Sequence, residues 1–233
     1  MPDLSDLAGL LWRWRDCVAS VLVLGVTGGV ACGKSTLTAA LVDQLRGHRS
    51  RPRVESVNTD GFLRPNAALK AAGLINRKGF PETYDRDSLV TALRDVRLGP
   101  TMFPAYSHSS YDVDPALIRT VDRPDILIVE GLGLGELPGI DRLIYIDAPE
   151  ADQEAWFVTR FLAFCEIGRH DANSFYARFR DMDEATAAEL GATVWTSINL
   201  PNLRDHIAPL RAHADVVVRK GSNHAIKAIV PRG

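Results

Sequence analysis

The sequence predicts an α/β protein of three layers, α/β/α, built on a mainly parallel central sheet. Three apolar runs carry that expectation: VASVLVLGV at 18–26, PDILIVEG at 124–131 and RLIYIDAP at 142–149. Uninterrupted apolar runs of this length suit strands buried on both faces of a sheet. Stretches with helical spacing lie among them, the alternation that builds parallel sheets covered on both sides. A glycine-rich segment, GGVACGKST at 28–36, follows the first run directly and leads into a helical pattern.

Taken in order, residues 3–15 place Leu4, Leu7, Leu10, Leu11 and Trp14 at helical spacing, so a short helix within 1–17 should pack on the body. The run at 18–26 is too short to cross a bilayer and reads as a core strand. No small-residue cleavage site follows LWRWRD, so a secretory signal is not expected. KSTLTAALVDQLRG reads as a helix closed by Gly47 at a C′ position. HRSRPR at 48–53 is a basic connector of the kind found in solvated turns. VESVNTD reads as a second strand ending at Asp60, and DRDSLVTALRDVRL as a helix over 85–98 stopped by Gly99-Pro100. Residues 100–115 should form a loop or hairpin. Beyond the strands at 124–131 and 142–149, helices are expected over 150–167 and 182–198, and ADVVVRKG and HAIKAIV close the chain as strands. No repeat, low-complexity tract or linker interrupts this pattern, so one domain over 1–233 is expected.

The 233 residues are 46% hydrophobic, enough to bury a core without disulfide or metal. A net charge of -2 gives no electrostatic footprint for nucleic acid or an anionic membrane, which leaves a small molecule as the expected partner. Cys17, Cys32 and Cys165 are far apart and form neither a disulfide framework nor a zinc pattern, as suits a reducing cytoplasm.

Gly28-x-x-x-x-Gly33-Lys34-Ser35 is a complete Walker A sequence between a strand and a helix, the fold context of P-loop NTPases. Gly28, Gly29, Val30, Ala31, Cys32, Gly33, Lys34, Ser35 and Thr36 should cradle a nucleotide's phosphates with backbone N–H groups and the helix N-terminus. Lys34 would reach the β and γ phosphates, and Ser35 would offer a hydroxyl to Mg²⁺. Cys32 reads as a small filler. The loop alone leaves switch GTPases, motor ATPases and kinases open. The chain contains no Asn-Lys-x-Asp, which counts against a guanine-specific switch.

Asp60, at the carboxyl end of a strand, could accept a proton from a substrate hydroxyl, although Asp60-Gly61 is equally a turn former. Glu130 ends an apolar strand, the place of a Walker B acid that binds Mg²⁺ directly or through water. Arg160 could close over a transferring phosphoryl group or could be plain helix surface. Tyr106, His108 and Tyr111 could line a polar pocket or simply pin a loop by aromatic packing. His224 is equally open.

Taken together, GVACGKST, TDGFLRPN, RKGFPETYD, YSHSSYD, PDILIVEGL, YIDAPE, RFLAF, WTSINLPNLRDHI and RKGSNHAI give the chain its resemblance to the type I (prokaryotic) pantothenate kinases. These are P-loop kinases related to uridine kinase and phosphoribulokinase. The similarity spans nearly the whole chain. The first segment is shared with many NTPases, whereas the TDGF, KGFPE, YSH and IN-x-x-NL blocks together are specific. The resemblance implies ATP and Mg²⁺ as cofactors, with Lys34 and Ser35 holding them, Asp60 as catalytic base and Glu130 assisting the metal. It also implies that Tyr106, His108, Arg160 and Asn199 surround pantothenate, with Arg160 touching the phosphoryl group. Lys220, Asn223 and His224 match the segment on the adenine side, and the family is typically dimeric. This chain departs from the family pattern in a shorter N-terminal region, in Phe157 for an aromatic hydroxyl and in Ala39 for a basic residue. It also has Gly133 where an Asn usually follows the Gly-Leu pair, in a shortened connection.

The activity this implies is ATP-dependent phosphorylation of pantothenate. The same chemistry on another small alcohol, and a regulator that binds ATP without transfer, are the competing expectations. An intact Asp60 counts against the regulator.

Overall fold

A computed structural model describes residues 4–232. The chain opens with helix α1 (Leu4–Asp16), followed by strand β1 (Leu22–Gly28), helix α2 (Lys34–Arg46) and strand β2 (Val54–Asn58). Two short helices come next, α3 (Asn66–Ala71) and α4 (Arg86–Asp95), and then the hairpin strands β3 (Pro100–Ser107) and β4 (Asp112–Asp122). β5 (Ile126–Glu130), β6 (Arg142–Asp147), α5 (Glu150–His170), α6 (Glu184–Val194), β7 (Val216–Lys220) and β8 (Ile226–Pro231) complete the chain.

Six strands form the central sheet in the order β2-β5-β1-β6-β7-β8, and β3 and β4 form a separate two-stranded sheet. The first five are mutually parallel and β8 runs antiparallel at the edge, so the mainly parallel α/β/α arrangement is as expected. Because successive strand residues point to opposite faces, each central strand feeds two cores. Val23, Val57, Leu127, Val129 and Leu143 face Leu89 and Leu93 of α4, Phe103 of the hairpin and Trp195. Leu22, Leu24, Val26, Ile128 and Ile146 face α1 and α2 through Leu7, Leu11, Leu37 and Leu41. The expected N-terminal helix thus packs on the sheet's α2 side; residues 1–3 of that expectation lie outside the described residues.

Several boundaries differ from the expectations. The first strand begins at Leu22, not at 18, and the second stops at Asn58. Asp60 therefore stands beyond the strand, in a 3-10 turn over Thr59–Phe62, because Asn58 Oδ1 accepts the Asp60 N–H at 2.7 Å and caps that turn. Gly47 caps α2 with an ordinary right-handed backbone, φ -70°, so its lack of a side chain is not what ends the helix. The segment at 100–115 is the start of a hairpin that runs on to Asp122. The helix expected over 85–98 spans Arg86–Asp95, and that over 150–167 extends to His170. The helix expected over 182–198 keeps α geometry only to Val194 and then widens into π turns at Trp195–Asn199 and Leu203–Ile207. Among the described residues, no helix is long and apolar enough to cross a membrane.

Candidate active site

The loop between β1 and α2 reverses the chain in five residues, and Gly33 closes it with a left-handed backbone, φ 82°, at the N-cap of α2. A side chain there would be strained and would also sit 2.6 Å from Lys220 Nζ. Lys34, the first residue of α2, donates to the carbonyl oxygens of Gly28 at 3.2 Å and Gly29 at 2.8 Å, which holds its ammonium along the loop. From β7, the buried Lys220 donates to the carbonyls of Cys32 at 2.9 Å and Gly33 at 3.4 Å. Burial, with Lys34 close by, pushes the Lys220 ammonium below its ordinary pKa. Carbonyls engaged by these two lysines leave the loop's N–H groups as the anion-facing donors.

β2 and β5 are parallel neighbours with Asn58 opposite Glu130, so both strands end at the same edge of the sheet. Glu130 is 7% exposed, and its Oε1 accepts from Asn58 Nδ2 at 3.1 Å. Its Oε2 is buried with no hydrogen-bond partner. Such an oxygen is costly unless a cation or its water answers it, and Ser35 lines the same cleft. Ser35 and Glu130 therefore fit a Mg²⁺ ion completed by phosphate oxygens. Among the described residues no group of three or more His, Cys, Asp or Glu could hold a metal without such help.

A cleft of about 790 Å³ runs along this edge. Val30, Ala31, Gly33, Lys34, Ser35 and Thr36 line it from the glycine loop and the start of α2, Asp60, His108 and Glu130 line it as well, and Arg160, Asn223 and His224 are among the rest of its lining. Gly28, Gly29 and Cys32 do not line it, and Cys32 is fully buried. Tyr106 lines an adjoining pocket of about 150 Å³ together with Asp60 and His108. Asn199 lines neither; it ends the first π turn, and its Nδ2 is buried without a partner.

Beside the smaller pocket, Tyr106 packs edge-on to His108 and Tyr111 at 5.2 and 6.1 Å, and His108 lies 5.5 Å from Phe164 of α5. Burial pushes the Tyr106 phenol up and the His108 imidazole down, so both favour their neutral forms. Arg160, one turn before Phe164, loses basicity to burial, which Tyr176 and then Asp60 partly offset.

Three side chains at or beside the site carried no role in the sequence reading. Tyr84 donates from its hydroxyl to Asp60 Oδ1 at 3.0 Å. Lys78 donates to Asn66 Oδ1 at 2.7 Å and the Tyr111 carbonyl at 2.6 Å, and its ammonium lies over the Tyr106 and Tyr111 rings. Burial lowers its pKa to about 8 against the pull of Asp112 and Asp60. Both residues lie in RKGFPETYD, a short stretch without periodicity, where only the quoted motif could have drawn attention to them. Trp156 stacks on His224 at 3.8 Å and donates to the Ser222 carbonyl at 2.7 Å, forming a flat aromatic wall beside Asn223. Helical spacing gives no sign of that wall.

The pattern of the phosphoribulokinase / uridine kinase family matches residues 23–142. A pantothenate kinase of Chelativorans sp. (strain BNC1) is 41% identical over 231 residues, covering 92% of this chain and 72% of that protein. One of Rhizobium etli (strain CIAT 652) is 40% identical over 233 residues, covering 93% and 70%. Among solved structures, the YGR205w protein superposes with a TM-score of 0.70 over 98% of this chain and 96% of its own, at 14% identity, a likeness of fold alone. Glycine loop, sheet-edge acids and sequence kinship agree, and the chain belongs to the phosphoribulokinase / uridine kinase family and, within it, to the pantothenate kinases.

Proposed function

We propose that this chain transfers the γ-phosphoryl group of ATP to the primary hydroxyl of pantothenate, giving 4′-phosphopantothenate and ADP, the first step toward coenzyme A. The observation that carries the reading is the meeting of Lys34, Ser35, Asp60, Glu130 and Arg160 around one cleft. The names of relatives at about 40% identity supply the acceptor. One domain over 1–233, a homodimeric assembly and a cytoplasmic location belong to the same proposal.

In this reading the N–H groups of the 28–36 loop and Lys34 hold the triphosphate, and Asn223 and His224 flank the adenine. Ser35 and Glu130 would hold Mg²⁺, which when bound would supply positive charge beside the phosphates. Asp60 orients the acceptor hydroxyl and takes its proton as the oxygen attacks phosphorus. Arg160 offsets the charge on the transferring group. Tyr106 and His108 contact the rest of the acceptor, whereas Asn199, expected there from the family resemblance, lines neither pocket and is assigned no contact. Most of the rate comes from positioning and preorganised charge, and a base placed as Asp60 is contributes about 10²–10⁴-fold.

The test follows ADP release in Mg²⁺ and ATP with pantothenate, uridine, a sugar or glycerate as acceptor. The reading expects release that depends on pantothenate and exceeds that with the other alcohols. No vitamin-dependent turnover at millimolar acceptor would reject pantothenate, and turnover with another alcohol would identify the replacement.

A further inference from the structure

Tyr84 has no place in the phosphate cradle or the acceptor wall as described, yet it is tied to the proposed base from two directions. Its side chain is buried at 6% exposure and its hydroxyl meets Asp60 Oδ1 at 3.0 Å. Burial, and then the charge of Asp60, keep that phenol protonated, so it stays a donor. Its backbone is stitched to the turn that carries Asp60. Leu63 and Tyr84 form an antiparallel bridge, Arg64 N–H donates to the Thr83 carbonyl at 2.8 Å, and Asp85 N–H donates to the Phe62 carbonyl at 2.8 Å.

The ring also lies close against Gly133, three residues beyond Glu130. A Cβ built on Gly133 would stand 2.9, 2.9 and 3.0 Å from Tyr84 Cδ1, Cε1 and Cζ. Gly133, where the resembled family usually has Asn, does not have a left-handed backbone; in this chain its missing side chain leaves room for the ring where it stands. The ring is thereby fixed between the turn bearing Asp60 and the loop that follows the strand of Glu130.

We propose that Tyr84 is a positioning residue for phosphoryl transfer: its hydroxyl anchors Asp60 Oδ1 so that Oδ2 is left to meet the acceptor hydroxyl, and Gly133 keeps the ring in register. This rests on the reading of Asp60 as the base. A carboxylate free to rotate about its χ angles would spend much of its time misaligned, and small misplacements in a transfer geometry are costly.

The experiment compares Tyr84→Phe, Asp60→Asn and the double variant in the full chain, with labelled ATP so that slow transfer is measurable. Tyr84→Phe should lower kcat about tenfold or more, the scale of a hydrogen bond to a charged group. The KM for ATP and the thermal midpoint should stay near those of the parent protein. In the Asp60→Asn background the same change should alter the residual rate by less than about twofold, because Tyr84 acts through Asp60. Gly133→Ala should lower kcat severalfold and add little to Tyr84→Phe. A Tyr84→Phe protein with kcat within about twofold of the parent, or an equal loss with and without Asp60, overturns the inference. Should Tyr84→Phe fail to fold, Gly133→Ala at full kcat does the same. An active Asp60→Asn protein would instead remove Asp60 from its role, so the two failures are distinct.

Discussion

At the scale of single residues, the site depends on groups whose burial is only partly answered by partners. Glu130 keeps one oxygen unpartnered in the interior, which is a cost without a cation and a ligand with one. Lys78 is the titrating counterpart. Burial brings it to about 8, so it is charged below that pH and neutral above it. Its ammonium lies over the Tyr106 and Tyr111 rings and adds to the field at Asp60. The acceptor KM should therefore rise as pH passes about 8 while the KM for ATP stays level, and Lys78→Gln should flatten that rise. Initial rates between pH 6.5 and 9.5 check this; an acceptor KM indifferent to pH in the parent protein would contradict it.

At the scale of elements, the phosphate loop is held by β1 in front of it, α2 behind it and Lys220 of β7 alongside. Lys220→Met would leave two loop carbonyls without their donor, a loss of about 1–3 kcal/mol. ATP affinity should fall about tenfold, with kcat at saturating ATP much less affected. Titration calorimetry with a non-hydrolysable ATP analogue measures this, and unchanged affinity would show that the loop needs no support from β7. The elements also show what a sequence can disclose. β5 and β6 were legible because strands buried on both faces are apolar throughout, and α2 because a Walker A motif requires a helix after it. α3 was missed because six residues hold too little periodicity, and the π turns after Val194 because each spans only five residues, about one turn, too few for a changed period to show in the side-chain pattern. Asp60 looked like a strand end because Asn58-Thr59 continues the β pattern; the cap formed by Asn58 is what turns the chain.

At the scale of the whole molecule, the parallel order β2-β5-β1-β6 brings the ends of β1, β2 and β5 to one edge, the place where α/β folds bind ligands. Lys34, Ser35 and Glu130 stand out in the sequence because their motifs carry their own chemistry, whereas Asp60-Gly61 read equally as a turn and gained its role only from the family resemblance. Their meeting in one cleft follows from topology. Pairings that depend on distant segments, Lys220 with Cys32 or Trp156 with His224, leave no local trace, since neither partner is unusual where it stands. In the proposed mechanism Asp60 serves transfer and not nucleotide binding. Turnover and ATP affinity of Asp60→Asn, measured on one preparation, test it most directly. In that variant kcat should fall by about 10²-fold or more with ATP affinity within about twofold of the parent; turnover near that of the parent protein would remove Asp60 from transfer.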